Sequence, residues 1–158
     1  MPKPVRALGA KWRHSQGNAD VEAILTSRGF PQAKIRRTLH HKNHAACAYF
    51  GMRQNAADKH LVLTLDGAGD GICSQVYLAE NGKMTLLAET PAGHSLGQIY
   101  SRMTHMMGMR PHEHEYKLMG MAPYADSKYS RPVVEFLETL LGLDPNNPMK
   151  FKSLRGDT

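Results

Sequence analysis

The spacing of apolar and polar positions divides the chain into stretches of different period. Between residues 61 and 90, "LVLTLD" is a short, nearly continuous apolar run, "ICSQVYLA" a second and "MTLLAET" a third, each the length of a strand. "ENGK" separates the last two, and an Asn-Gly pair between apolar runs is a strong hairpin signal. The region therefore predicts a three-stranded antiparallel meander whose first connection is "DGAGDG". Elsewhere the period is helical or absent. "NADVEAILTSRGF" (18–30) predicts a short helix, capped by Asn18 or Asp20, with Gly29 near its end. "AKIRRTL" fits a strand, and "NHAACAYFGM" a helix apolar on more than one face and hence buried. "SLGQIYSRMTHMMG" (95–108) reads as a helix capped by Ser95 and stopped by Gly108, its methionines in the core. "EHEYKLMGMAPYA" is helical or looped, "RPVVEFLETLLG" (131–142) is an amphipathic helix, and the breaker-rich "DPNNPMKFKSLRGDT" reads as a frayed end.

These elements suggest a loose basic segment with a short helix at 1–29, an α/β domain at 30–143 and a tail at 144–158. Charge sharpens that division. Residues 1–60 hold 11 Lys+Arg against 3 Asp+Glu, whereas residues 61–158 hold 9 against 11. A basic N-terminal part suits an anionic partner. No apolar run reaches membrane-spanning length, and "MPKPVRALGAKWRH" lacks a signal-peptide core. Two cysteines, Cys47 and Cys73, fit a reducing cytoplasm better than a disulfide framework.

"LHHKNHAACAYF" (39–50) places three histidines within five residues. On a helix, His40 and His44 share a face and can share an ion, while His41 is about 100° away. The zinc-protease pattern is absent, because His41 stands where its Glu belongs. Two imidazoles do not make a tight site, so a further ligand, most plausibly a carboxylate, must come from elsewhere in the chain.

In "LTLDGAGDGICS", Gly67, Gly69 and Gly71 let backbone N–H groups approach an oxyanion, and Asp66 and Asp70 can hold a divalent ion on its phosphates. An EF-hand is excluded by Ala68 and Tyr77 at ligand positions. A Walker A loop is excluded by the missing Gly-Lys-Ser/Thr, and a Rossmann loop by the strand that follows. A glycine loop within a β-hairpin, with acids at both ends, suits the phosphate loops of the actin/hexokinase/Hsp70 class.

"HHKNHAACAYF", "LVLTLDGAGDGICS" and "SLGQIYSRMTHMMGMRPHEHEYKLMGMAPYA", in that order, resemble the nucleotide-binding part of the O-carbamoyltransferases of nodulation factors and antibiotics, the NodU/CmcH family. That family's pattern is roughly HHxxHAASA, DGxGD, SLGxxYxxxTxxLG and EYKxMGLAxYG. The likeness covers about residues 30–125. The hydrogenase-maturation carbamoyltransferases and the tRNA threonylcarbamoyladenosine transferases are similar more distantly. The resemblance implies a partial actin/hexokinase/Hsp70-like (ASKHA) α/β fold, an antiparallel three-stranded meander flanked by helices. It implies transfer of a carbamoyl group from carbamoyl phosphate, through an ATP-derived carbamoyl-adenylate, to a substrate hydroxyl, with a divalent metal, Fe²⁺ foremost. By the same resemblance His40, His44 and Asp66 are metal ligands, and Gly67, Gly69, Asp70, Gly71 and Gly120 lie on the nucleotide. Asp66 and Lys117 are the catalytic candidates. Cys47 stands where the family has Ser, and Met121 and Ala125 replace its Leu and final Gly.

Family members are several times longer, so the chain matches a middle segment, the end of one subdomain and the start of the next. Missing domains of the same enzyme, or self-association, are the expected macromolecular partners; membranes and DNA are not. The alternative function is a non-catalytic basic module binding RNA or another polyanion. Against it, residues 1–48 offer only Trp12 and Phe30 as stacking aromatics.

Overall fold

In a computed structural model, the described residues are 20–52, 55 and 57–155. The expected loose basic segment at 1–19 lies outside them. The chain divides into two compact units, Met1–Leu39 and His40–Thr158.

In the first unit, residues 20–27 form helix α1. It ends as its sequence predicts. Gly29 takes φ 87°, Gly29 N–H donates to Thr26 O at 3.0 Å and Phe30 N–H to Leu25 O at 3.1 Å, a Schellman cap. A single 3₁₀ turn, Gln32–Lys34, follows. The expected strand at 33–39 is absent: residues 33 and 34 belong to that turn, residues 35–39 have neither helical nor strand structure, and no strand among the described residues pairs with them. Arg37 Nε reaches Glu22 Oε1 at 2.6 Å.

The second unit is built on the expected meander. Strands β1 (His60–Gly69), β2 (Ile72–Glu80) and β3 (Lys83–Pro91) pair antiparallel in the order β1-β2-β3. Both connections are two-residue turns with positive φ at each position: Asn81 (49°) with Gly82 (76°), and Asp70 (54°) with Gly71 (81°). That is the type I′ geometry which Asn-Gly and Asp-Gly favour. The first hairpin is irregular. Leu65 pairs with Ser74 and Gly69 with Ile72, so residues 66, 67 and 68 face Cys73 alone. The strand must bulge there.

Helix α2 (His40–Met52) covers one face of this sheet. His41, Ala45 and Tyr49, spaced four apart, are buried, and Ala45 and Tyr49 pack with Val62, Tyr77 and Ala79. The helix was expected to be buried on several faces, but only this stripe is; Phe50, Met52 and Cys47 are exposed. The apolar run of β1 reads as a buried strand, yet Leu61, Leu63 and Leu65 are 69%, 59% and 46% exposed, because alternate residues point away from α2.

Helix α3 (Leu96–Met106) packs beside β1, with Ser95 accepting from Gln98 N–H at 3.1 Å and Gly108 at φ 73° just beyond its end. Its Met106 is 76% exposed, so this methionine is not core as expected. Helix α4 (Glu115–Met121) runs into a 3₁₀ turn, Ala122–Tyr124. Helix α5 spans Ser127–Glu138 rather than 131–142, because Asp126 caps it by accepting from Lys128 N–H. The stretch expected to fray forms a hairpin with the residues before it, β4 (Leu141–Asp144) and β5 (Asn147–Ser153). It is tied to the main sheet by Phe151 N–H donating to Thr90 Oγ1 at 3.2 Å. No described helix is long and apolar enough to cross a membrane.

Candidate metal centre

The bulge turns Asp66 toward the first turn of α2. There the Oδ2 of Asp66 lies 2.7 Å from His40 Nε2 and 3.6 Å from His44 Nε2, and the two imidazole nitrogens are 3.1 Å apart. The three ligand atoms all lie within 4.8 Å of one another. An ion held at metal–ligand bonds of about 2.1 Å with 90–109° between them would place its ligands about 3.0–3.4 Å apart, close to these edges. The donor chemistry agrees. One ring proton on His40 Nε2 cannot satisfy both a carboxylate and a second imidazole nitrogen at such distances, whereas a cation accepts all three lone pairs. Sequence spacing singles out the histidine pair, and the structure supplies the carboxylate that the pair lacks.

Asp66 is held ionised. Its carboxyl lies below the ordinary range, first because His40 hydrogen-bonds it, and also because Gly67 N–H donates to Oδ1 at 2.6 Å and both histidines favour its charge; partial burial opposes this. Any stability this ionisation contributes is present above the ordinary carboxylate pKa. It is lost as pH falls through that value to the lowered one.

Each neighbour in the motifs has a positioning task. Asp70, expected on the nucleotide, accepts from His40 N–H through Oδ2 at 2.7 Å and so fixes the start of α2. Gly69 has an ordinary φ but lies against His40: a Cβ there would overlap the imidazole ring, with Nε2 only 2.8 Å away. His41 is not a bystander. It is buried, its Nε2 donates to Ile72 O at 3.0 Å, and its Nδ1 meets Thr64 Oγ1 at 2.9 Å, pinning α2 to the hairpin.

Sequence reading gave Ser95 only as a helix cap. Its buried hydroxyl also reaches Gly67 O at 2.7 Å and Asp66 O at 3.2 Å. Gly97 brings α3 so close that a Cβ would meet the Gly67 backbone at 2.9 Å. The Ser-Leu-Gly triplet thus clamps the bulge from the side of α3. The signal was legible as a small residue after a cap, but its target was not.

Gly67 has open space where a Cβ would project. It borders a mostly apolar cavity of about 760 Å³, also lined by Asp66, Ile99, Tyr100, Glu115 and Met119, a size suited to a small molecule. Glu115 is held below its ordinary pKa chiefly by His112 N–H, which donates to Oε1 at 2.7 Å. Two candidates stay apart from this constellation. Lys117 is exposed, with Nζ 5.9 Å from the Tyr116 ring centroid, and does not line the cavity. Gly120 is exposed with nothing near a would-be Cβ, and Gly71 serves its turn.

Fold and site define an α/β unit that presents a two-imidazole, one-carboxylate cluster at a glycine-rich hairpin. Residues 19–154 match the family described as "Carbamoyltransferase N-terminus", and the chain belongs to it. It is 38% identical over 104 residues to the uncharacterized protein sll1178 of Synechocystis sp., covering 66% of this chain and 16% of that protein. It is 31% identical over 109 residues to nodulation protein NolNO of Sinorhizobium fredii, covering 69% and 15%. With nodulation protein NolO of Bradyrhizobium diazoefficiens the identity is 30% over 102 residues, covering 64% and 18%. The chain spans less than a fifth of each of these relatives.

Proposed function

We propose that this chain contributes the metal-binding wall of an O-carbamoyl-transfer site. The carbamoyl group would come from carbamoyl phosphate, be carried on an ATP-derived carbamoyl-adenylate and pass to a substrate hydroxyl. The observation that carries this reading is the convergence of His40 Nε2, His44 Nε2 and Asp66 Oδ2 in a chain of the carbamoyltransferase family. His40, His44 and Asp66 are the ligands, and Fe²⁺ is the ion that two imidazoles and one carboxylate on an open face suit best. When bound, the ion supplies Lewis-acid polarisation of an oxygen on the reacting group.

The chain's own groups set the stage for that chemistry. Asp66 stays anionic at neutral pH. Gly67, bare on its open side, lets a phosphate approach the bulge backbone, and the neighbouring cavity takes the organic part of a substrate. Asp70 and Gly69 act by seating His40. The hairpin with its glycine loop supports a partial ASKHA fold. The uncovered Leu61, Leu63 and Leu65 support contact with further parts of the same enzyme or with a second copy.

Efficient transfer needs both reacting partners held in place and water kept out. Three ligands on one wall leave positions open to water, so the chain alone should hydrolyse rather than transfer. Incubated with synthetic carbamoyl-adenylate, Fe²⁺ and a simple sugar, it should release AMP without carbamoylated sugar by mass spectrometry. Asp66→Ala should slow that release at least about tenfold. Equal AMP release from both proteins would contradict the assignment of this site. Carbamoylated sugar would show that the chain suffices for transfer.

A further inference from the structure

A second cavity, of about 410 Å³, lies on the other side of Ser95, between the start of α3 and the β4–β5 hairpin. Two guanidiniums, Arg102 and Arg155, line it together with Ser95, Gln98, Gly93 and Ser153. Among the described residues no carboxylate lines it. Among the described residues neither arginine is in an ion pair. Arg155 is already seated: its guanidinium lies 4.9 Å from the Phe136 ring centroid, and Nη2 donates to Thr139 Oγ1 at 3.3 Å. A guanidinium has five N–H donors, so most of those on Arg155 have no acceptor among the described residues.

Two guanidiniums lining one concave space, with no described carboxylate beside them, favour an anion there. Their planar forks match phosphate oxygens in a bidentate way that lysines do not. The space exceeds a bare phosphate and falls in the range of small-molecule sites. We propose that this cavity is a binding site for a phosphate ester or anhydride, held by Arg102 and Arg155 and separate from the metal centre. The proposal does not depend on carbamoyl transfer. Its wall is Ser95, whose hydroxyl holds the Asp66–Gly67 backbone, so an occupant would touch the residue that clamps the metal-binding bulge.

Calorimetry on the metal-free chain at physiological salt, with pyrophosphate as one probe and AMP as another, tests this. Wild type should bind at least one of them. Arg102→Ala and Arg155→Ala should each weaken binding roughly tenfold or more, while Lys83→Ala, at the opposite end of β3 from the cavity, should leave it unchanged. Arg102→Lys should recover less than half of the lost affinity if the fork geometry matters. Circular dichroism confirms folding, and both arginines are solvent-exposed. Tighter binding of AMP would identify a monoester ligand, and tighter binding of pyrophosphate an anhydride; both outcomes require both arginines. No binding of either probe, or binding indifferent to both Arg→Ala changes, would overturn the proposal.

Discussion

Gly69→Val is expected to weaken metal binding about 10–100-fold, the range seen when groups supporting a ligand are altered. Gly69 makes no contact with the ion's would-be position through a side chain, since it has none. Its φ is ordinary, so valine meets no backbone penalty there. The loss comes from space. A Cβ at 69 overlaps the His40 imidazole, and a branched one cannot turn away from it. His40 cannot retreat easily either, because its N–H is bonded to Asp70 and the next residue, His41, is locked in the core. The ring must swing away from Asp66 and His44, which breaks the triangle. Titration of Fe²⁺ or Co²⁺ into wild type and variant reads this directly, with Gly67→Val as comparison, since Gly67 faces open space. Equal affinity in wild type and Gly69→Val would mean that the ring is not held where these contacts put it.

The second large effect is on stability. His41→Ala is expected to destabilise the His40–Thr158 unit by about 2–4 kcal/mol, measured by urea unfolding. The side chain is 2% exposed and bridges Thr64 and Ile72. Its removal leaves a cavity in a packed stripe, for which buried large-to-alanine changes cost about 2–5 kcal/mol. It also strips a partner from the Ile72 carbonyl, a loss of about 1–3 kcal/mol where water cannot replace it. Below the unfolding transition, metal affinity should change far less than in His40→Ala. An unchanged midpoint would show that α2 is anchored by Ala45 and Tyr49 alone.

His41 also illustrates what the sequence could and could not disclose. Helical period says correctly that His41 departs from the His40–His44 face, but not that it turns inward onto Thr64. The Asn81-Gly82 turn was legible because that pair satisfies a specific backbone demand, whereas the first connection, read as residues 66–71, is only Asp70-Gly71, since β1 runs on to Gly69. Helix α3 was legible from Ser95 and Gly108 for the same local reason. The resemblance named Asp66 as the third candidate ligand, but spacing alone could not place it. Asp66 meets the histidines only because three residues bulge opposite Cys73, and alternation along a strand carries no mark of that. Asp70 caps a helix that begins thirty residues earlier in the chain, a long-range pairing invisible to spacing. The β4–β5 hairpin hid behind Pro145, Asn146, Asn147 and Pro148. Those breakers sit in and around its turn, and its strands are held partly by Thr90 and His94 far upstream. The exposed leucines of β1 read as a buried strand because composition cannot tell one covered face from two.

The central claim is that His40, His44 and Asp66 together hold one divalent ion. The most direct measurement is iron content by mass spectrometry after anaerobic Fe²⁺ loading and desalting, in wild type and in His40→Ala, His44→Ala and Asp66→Ala, with Lys117→Ala as an exposed control. About one ion per wild-type and Lys117→Ala chain is expected, with loss of most of it in each of the three ligand variants. Metal content equal in all five proteins would contradict the claim.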